Sequence, residues 1–248
     1  MKNSYLVVIK ILSFFLIVLL AEDRLYTQNV GFVYLGFFGK TGTGDGEFNS
    51  PQGISVDIAG NIYIADTGNH RIQKFDRKGN FIIQRGGFGW KDGQYDEPVD
   101  VWAESGLNIF VADRNGSRIS RLDKDLNFIS SFYTDAGALG ENSFLYPLSL
   151  TFSTQGDLFI LDGENNKIIK MNSIGKIDFN FGANDIMSEY LKGALKIETG
   201  KNNLIYVSDR ILGQVLVFDY FGNFLKRIGN GIIKSPAGIS LDDKNRLF

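Results

Sequence analysis

His70 is the only histidine among 248 residues, and the chain has no cysteine. A multi-histidine zinc site or a Ser-His-Asp system is therefore hard to assemble. Two loops, Asp45-Gly46-Glu47 and Asp92-Gly93, are acidic and Gly-rich, but neither supplies a full calcium-loop ligand set or the basic residues of a phosphate cradle. No catalytic residue, metal set or cofactor is identified. Two charged pairs at fixed spacing, Asp66/Arg71 and Asp113/Arg118, read as ties across a hairpin mouth. If exposed they contribute roughly 0–1 kcal/mol each, and more only if desolvated.

The elements that carry these residues are written most fully between Pro51 and Gly86. Four short apolar runs, Gly53 to Val56, Ile62 to Ala65, Arg71 to Phe75 and Phe81 to Gln84, are separated by Asp/Gly/Asn turn clusters. Ile62-Tyr63-Ile64-Ala65 is apolar on both faces, so the second strand is expected to be covered from both sides. Prolines recur at Pro51, Pro98, Pro147 and Pro236, with Lys192 read as their counterpart between the last two. Aspartates closing the second strand recur at Asp66, Asp113, Asp162 and Asp209. Both series advance by about 45 residues, the period of four-stranded propeller blades. Ile64, Val111, Ile160 and Val207 are expected at matching interior places.

The pattern Pro-x-Gly-Ile, Gly-Asn-Ile-Tyr-Ile-Ala-Asp, Asn-x-Arg-Ile-x-x-Phe at Pro51 to Phe75 resembles the NHL repeat. The resemblance extends over residues 31–248. Blade two keeps Ile109 to Asp113 and Arg118-Ile119, blade three has Lys167 in place of the arginine, and blade four has Gln214 there and no proline. It implies an all-β propeller of four-stranded antiparallel blades, about five of them present. NHL-like amidating lyases depend on several metal-binding histidines that this chain lacks. The family resemblance names an architecture and leaves the activity open.

Residues 1–28 read as a secretory signal, the propeller as 29–248. Lys2 and Lys10 precede the uncharged run Ile11 to Ala21, short for a membrane span of about 20 residues. The expected location is secreted or periplasmic; the alternative is a membrane anchor holding the domain outside. Gly31 to Gly39 resembles a fourth strand that could close a ring, and the chain stops at Phe248 within a fifth blade. The expectation is an incomplete six-bladed ring, short by about 60 residues at about 40–50 per blade.

A hydrophobic share of 44% can fill a core, and a net charge of −2 argues against a nucleic-acid partner. The aromatics Phe48, Tyr95 and Phe144, each three residues before a proline, read as wedges between blades. Loops joining strands two and three share one face with the blade-to-blade connections, and function is expected there. Its non-repeating residues, Trp90, Tyr95, His70, Arg114, Glu164 and Arg210, suit a protein or glycan partner. His70 itself aligns with Ser117, Asn166 and Gly213, which marks it as a loop side chain. The favoured function is a non-catalytic exported binding or scaffold propeller. The alternatives are a calcium-dependent hydrolase or lactonase with a channel site, and RNA binding.

Overall fold

The structure, a computed structural model, describes residues 34, 36–133, 143–183 and 191–248. The segment read as a signal lies outside these residues, as do parts of the connections from blade two to blade three and from blade three to blade four. Tyr34, Gly36 and Phe37 carry no regular structure, and Phe38–Phe248 forms a compact unit.

Four antiparallel sheets of four strands account for nearly all of that unit, arranged as a β-propeller. A two-stranded parallel ribbon, β1 (Lys40–Thr41) with β2 (Glu47–Phe48), precedes them. Blade one is β3 (Gly53–Val56), β4 (Ile62–Asp66), β5 (Arg71–Phe75) and β6 (Phe81–Gly86). Blade two is β7 (Pro98–Trp102), β8 (Asn108–Asp113), β9 (Arg118–Asp123) and β10 (Phe128–Tyr133). Blade three is β11 (Pro147–Phe152), β12 (Leu158–Asp162), β13 (Lys167–Met171) and β14 (Ile177–Phe181). Blade four is β15 (Ala194–Thr199), β16 (Ile205–Asp209), β17 (Gln214–Phe218) and β18 (Phe224–Ile228). Beyond it, Leu241 and Leu247 form an antiparallel bridge, the start of a fifth hairpin.

Each turn is built locally. Asp57 accepts hydrogen bonds from the Ala59 and Asn61 N–H groups (2.9 and 2.8 Å) and from Asn61 Nδ2 (2.8 Å). The same arrangement recurs at Asp76/Asn80, Asp123/Asn127 and Asp219/Asn223. An aspartate that satisfies its own turn makes adjacent strands inexpensive to connect.

Packing between blades supplies the core. Ile64, Val111, Ile160 and Val207 are all buried, three of them completely. They hold equivalent registers, opposite Ile54, Val101, Leu150 and Ile197 of the preceding strand. Tyr95 and Phe144 are fully buried, each in an inter-blade cluster, which is the wedge role read from the repeat. Burial of such a side chain contributes about 1.5–3 kcal/mol.

Two sequence expectations change. The counterpart of the prolines in blade four is Ala194, which pairs with Asp209 as Pro98 pairs with Asp113 and Pro147 with Asp162; Lys192 lies two residues earlier. The backbone register fixes the position, whereas residue type cannot once proline is lost. Of the segment read as a closing strand, residues 34 and 36–39 carry no strand; the remainder lies outside the described residues.

Candidate functional site

The blade aspartates do more than tie a hairpin. Asp66, Asp113, Asp162 and Asp209 are each 0% exposed, and each carboxylate accepts backbone N–H bonds from the chain as it enters its own blade. The donors are Asn49 for Asp66, Asp96 and Glu97 for Asp113, Leu145 and Tyr146 for Asp162, and Lys192 and Gly193 for Asp209. Burial pushes the Asp113 carboxyl up, against the Glu97 N–H and the Arg118 guanidinium that favour its charge.

The paired arginines finish the clasp. Arg118 Nε lies 3.0 Å from Asp113, and its terminal nitrogens donate to the carbonyls of Trp90 (2.9 Å), Gly89 (3.4 Å) and Gln94. Arg71 is bound to Asp66 (2.7 Å) and to the carbonyls of Thr43, Gly44 and Glu47 (each 2.8 Å). These pairs are buried, which is the desolvated case, and each guanidinium also satisfies carbonyls of the connection that leads into its own blade.

What Arg118 holds in place is an aromatic surface. Phe88 and Trp90 are 57% and 65% exposed, with ring centroids 5.3 Å apart, and His70 lies 5.2 Å from Phe88. His70 Nδ1 is 2.5 Å from the Asp96 carbonyl, which fixes its ring against the next connection. The His70 backbone is left-handed (φ 55°), as at Ser117 (49°), Asn166 (47°) and Gly213 (64°), so the position itself serves a turn. Phe88 was missed by sequence reasoning, although the alternation Gly-Phe-Gly-Trp places it on the side of Trp90.

The other predicted residues separate from this patch. Tyr95 is fully buried beneath the loop and presents no contact surface, a correction that follows from its wedge role. Arg114, Glu164 and Arg210 line the mouth of a central cavity of about 1010 Å³. Arg114 is engaged there by Glu97, through two hydrogen bonds of 2.8 and 2.6 Å.

One repeat position at this cavity is filled differently in each blade: Gly53, Asp100 and Lys196 line it, and Ser149 is buried beside Asp100. A Cβ at Gly53 would come within 2.6 Å of the Asp100 backbone, so glycine is required where β3 meets β7. Ser149 Oγ donates to Asp100 (2.7 Å), and the Lys196 ammonium lies 2.7 Å from both Asp100 oxygens. Nearby, the Glu198 carboxyl is pushed up to about 8, chiefly by desolvation and then by the charge of Glu104. Among the described residues no three His, Cys, Asp or Glu side chains form a group that could hold a metal.

Comparison with known proteins agrees with the blade pattern. A model described as NHL repeat matches residues 48–75. Protein lin-41 of Caenorhabditis elegans is 56% identical over 45 residues, 18% of this chain and 4% of its own length. NHL repeat-containing protein 3 of Homo sapiens is 42% identical over 56 residues, 23% of this chain and 16% of its own. A streptogramin B lyase structure superposes with a TM-score of 0.62 at 18% identity, covering 86% of this chain and 65% of that one. The chain thus spans less than two thirds of each, and the structural likeness shows the fold alone.

Proposed function

Because this chain belongs to the NHL-repeat β-propellers, we propose that it is a binding or scaffold module that recognises a protein or glycan through the face carrying Trp90. The observation that supports this reading is the His70–Phe88–Trp90 surface: two large rings more than half exposed, on a loop anchored by a buried guanidinium. A preorganised aromatic patch binds without the entropic cost of ordering its loop. The exported location belongs to the same proposal, with the N-terminal segment as signal or as anchor; membrane contact is confined to that segment, and no nucleic-acid partner is included.

The test is affinity capture from cell envelope and medium, together with a glycan array, comparing the wild type with a Phe88→Ala/Trp90→Ala protein of matched melting temperature. A ligand held by the wild type and lost in the variant supports the reading. Equal retention by both would remove the patch from it.

A second reading, a channel hydrolase of lactonase type, draws on the Asp100, Glu104, Glu198 and Lys196 side chains lining the central cavity. Calcium-dependent lactone hydrolysis by the wild type, abolished in Glu198→Gln, is the outcome that favours it over binding.

A further inference from the structure

On the opposite face, the seams between blades can be compared with one another because the repeat places equivalent residues at each. Lys74, Arg121 and Lys170 occupy one position of the third strand, facing Tyr63, Phe110 and Phe159 of the second. At the seam of blades one and two, Lys74 is buried and its ammonium donates to the Lys124 carbonyl of the next blade (2.7 Å). At the seam of blades three and four, Lys170 is enclosed by Asp157 and Asp178 and lies 4.3 Å from the Tyr220 ring. The residue that directly follows the third strand's turn Asp or Asn meets these lysines: Lys124 of blade two through its main-chain carbonyl, and Tyr220 of blade four through its ring.

At the seam of blades two and three that position is Ser173, and the seam is open. A cleft of about 540 Å³ lies there. Its apolar wall is Trp102, Phe110 and Phe152, with Trp102 and Phe152 centroids 4.4 Å apart and Phe110 and Phe152 centroids 4.6 Å apart. Arg121 uses Nε for Asn108 Oδ1 (2.9 Å), and its terminal nitrogens make no hydrogen bond among the described residues. Thr199 Oγ1, also in the lining, is buried without a partner. A volume of this size holds a small molecule. Aromatic walls favour a flat ring, and a guanidinium with free donors favours a carboxylate.

We propose that this cleft is a binding site for a planar aromatic carboxylate, its ring against Trp102 and Phe152 and its carboxylate on Arg121. The site is independent of the Trp90 face.

The chain has two tryptophans, so a Trp90→Phe background leaves Trp102 as the only indole fluorophore. Titration with 2-naphthoate and with 2-naphthamide reads occupancy by quenching of Trp102. The expected result is saturable quenching by naphthoate, weakened about tenfold or more by Arg121→Gln, with naphthamide little affected by that change. Ser173→Tyr, which introduces the side chain that blade four carries, should abolish both. No saturable quenching in the background protein, an Arg121→Gln protein that binds naphthoate undiminished, or full binding in a folded Ser173→Tyr protein would each overturn the proposal. If Ser173→Tyr does not fold, the naphthoate-to-naphthamide contrast in Arg121→Gln decides.

Discussion

Lys196 places its ammonium 2.7 Å from both carboxylate oxygens of Asp100, a residue 96 positions earlier and two blades away. The two side chains occupy the same place in their blades, and Ser149 of the blade between them donates to the same carboxylate. Asp100 is 2% exposed, so its charge depends on these partners. Lys196→Met is expected to lower stability by about 2 kcal/mol, because it leaves a buried carboxylate uncompensated. Urea unfolding should show the loss, and Asp100→Asn in the same protein should recover part of it.

Arg118 is 1% exposed and holds three loop carbonyls as well as Asp113. Arg118→Met is expected to cost about 3–5 kcal/mol. Arg118→Lys should cost less and still release the loop, since an ammonium cannot span the same fork of acceptors. A change in Trp90 emission before global unfolding would report that release; unchanged emission in a folded Arg118→Lys protein would contradict it.

The Tyr95 hydroxyl is buried without a hydrogen-bond partner, and the equivalent wedges are Phe48 and Phe144. Tyr95→Phe is therefore expected to be neutral or to stabilise by about 0.5–1 kcal/mol. A clear fall in melting temperature would show that the hydroxyl is satisfied in solution.

Two sets of carboxyls pull the pH dependence in opposite directions. At Asp76 and Asp123 the side-chain bond from the turn asparagine, first among the causes, lowers the folded value, so their contribution is present above the unfolded value and lost as pH falls through the folded one. Glu198 is raised from 4.5 to about 8, so the folded state binds the extra proton and stability declines as pH rises across that window. Glu198→Gln should remove that decline, with a gain on the order of 2 kcal/mol at pH 8.5 and little change at pH 4.5. Thermal melts of both proteins across pH 4–9 would check the sign.

Much of the fold is legible in the residues because the blades repeat the same local instructions: a turn aspartate with its asparagine in blades one, two and four, and in all four a second strand apolar on both sides with an aspartate at its end. The aromatic patch is partly legible. His70 and Trp90 stand out by type, whereas Phe88 becomes visible only when the alternation along Gly87 to Trp90 is considered. The role of Arg71 and Arg118 is not legible, because their acceptors are carbonyls of loops 24 to 29 residues earlier, which carry no side-chain signature. Nor is the Asp100–Lys196 contact, since nothing local pairs residues that meet only across the axis.

Ser173 gives this architecture a further meaning. Where neighbouring copies of a motif are plugged by lysine or tyrosine, a single truncated side chain leaves a vacancy already walled by rings, so novelty can arise by subtraction. Removing Tyr220 would be the shortest route to a second such vacancy.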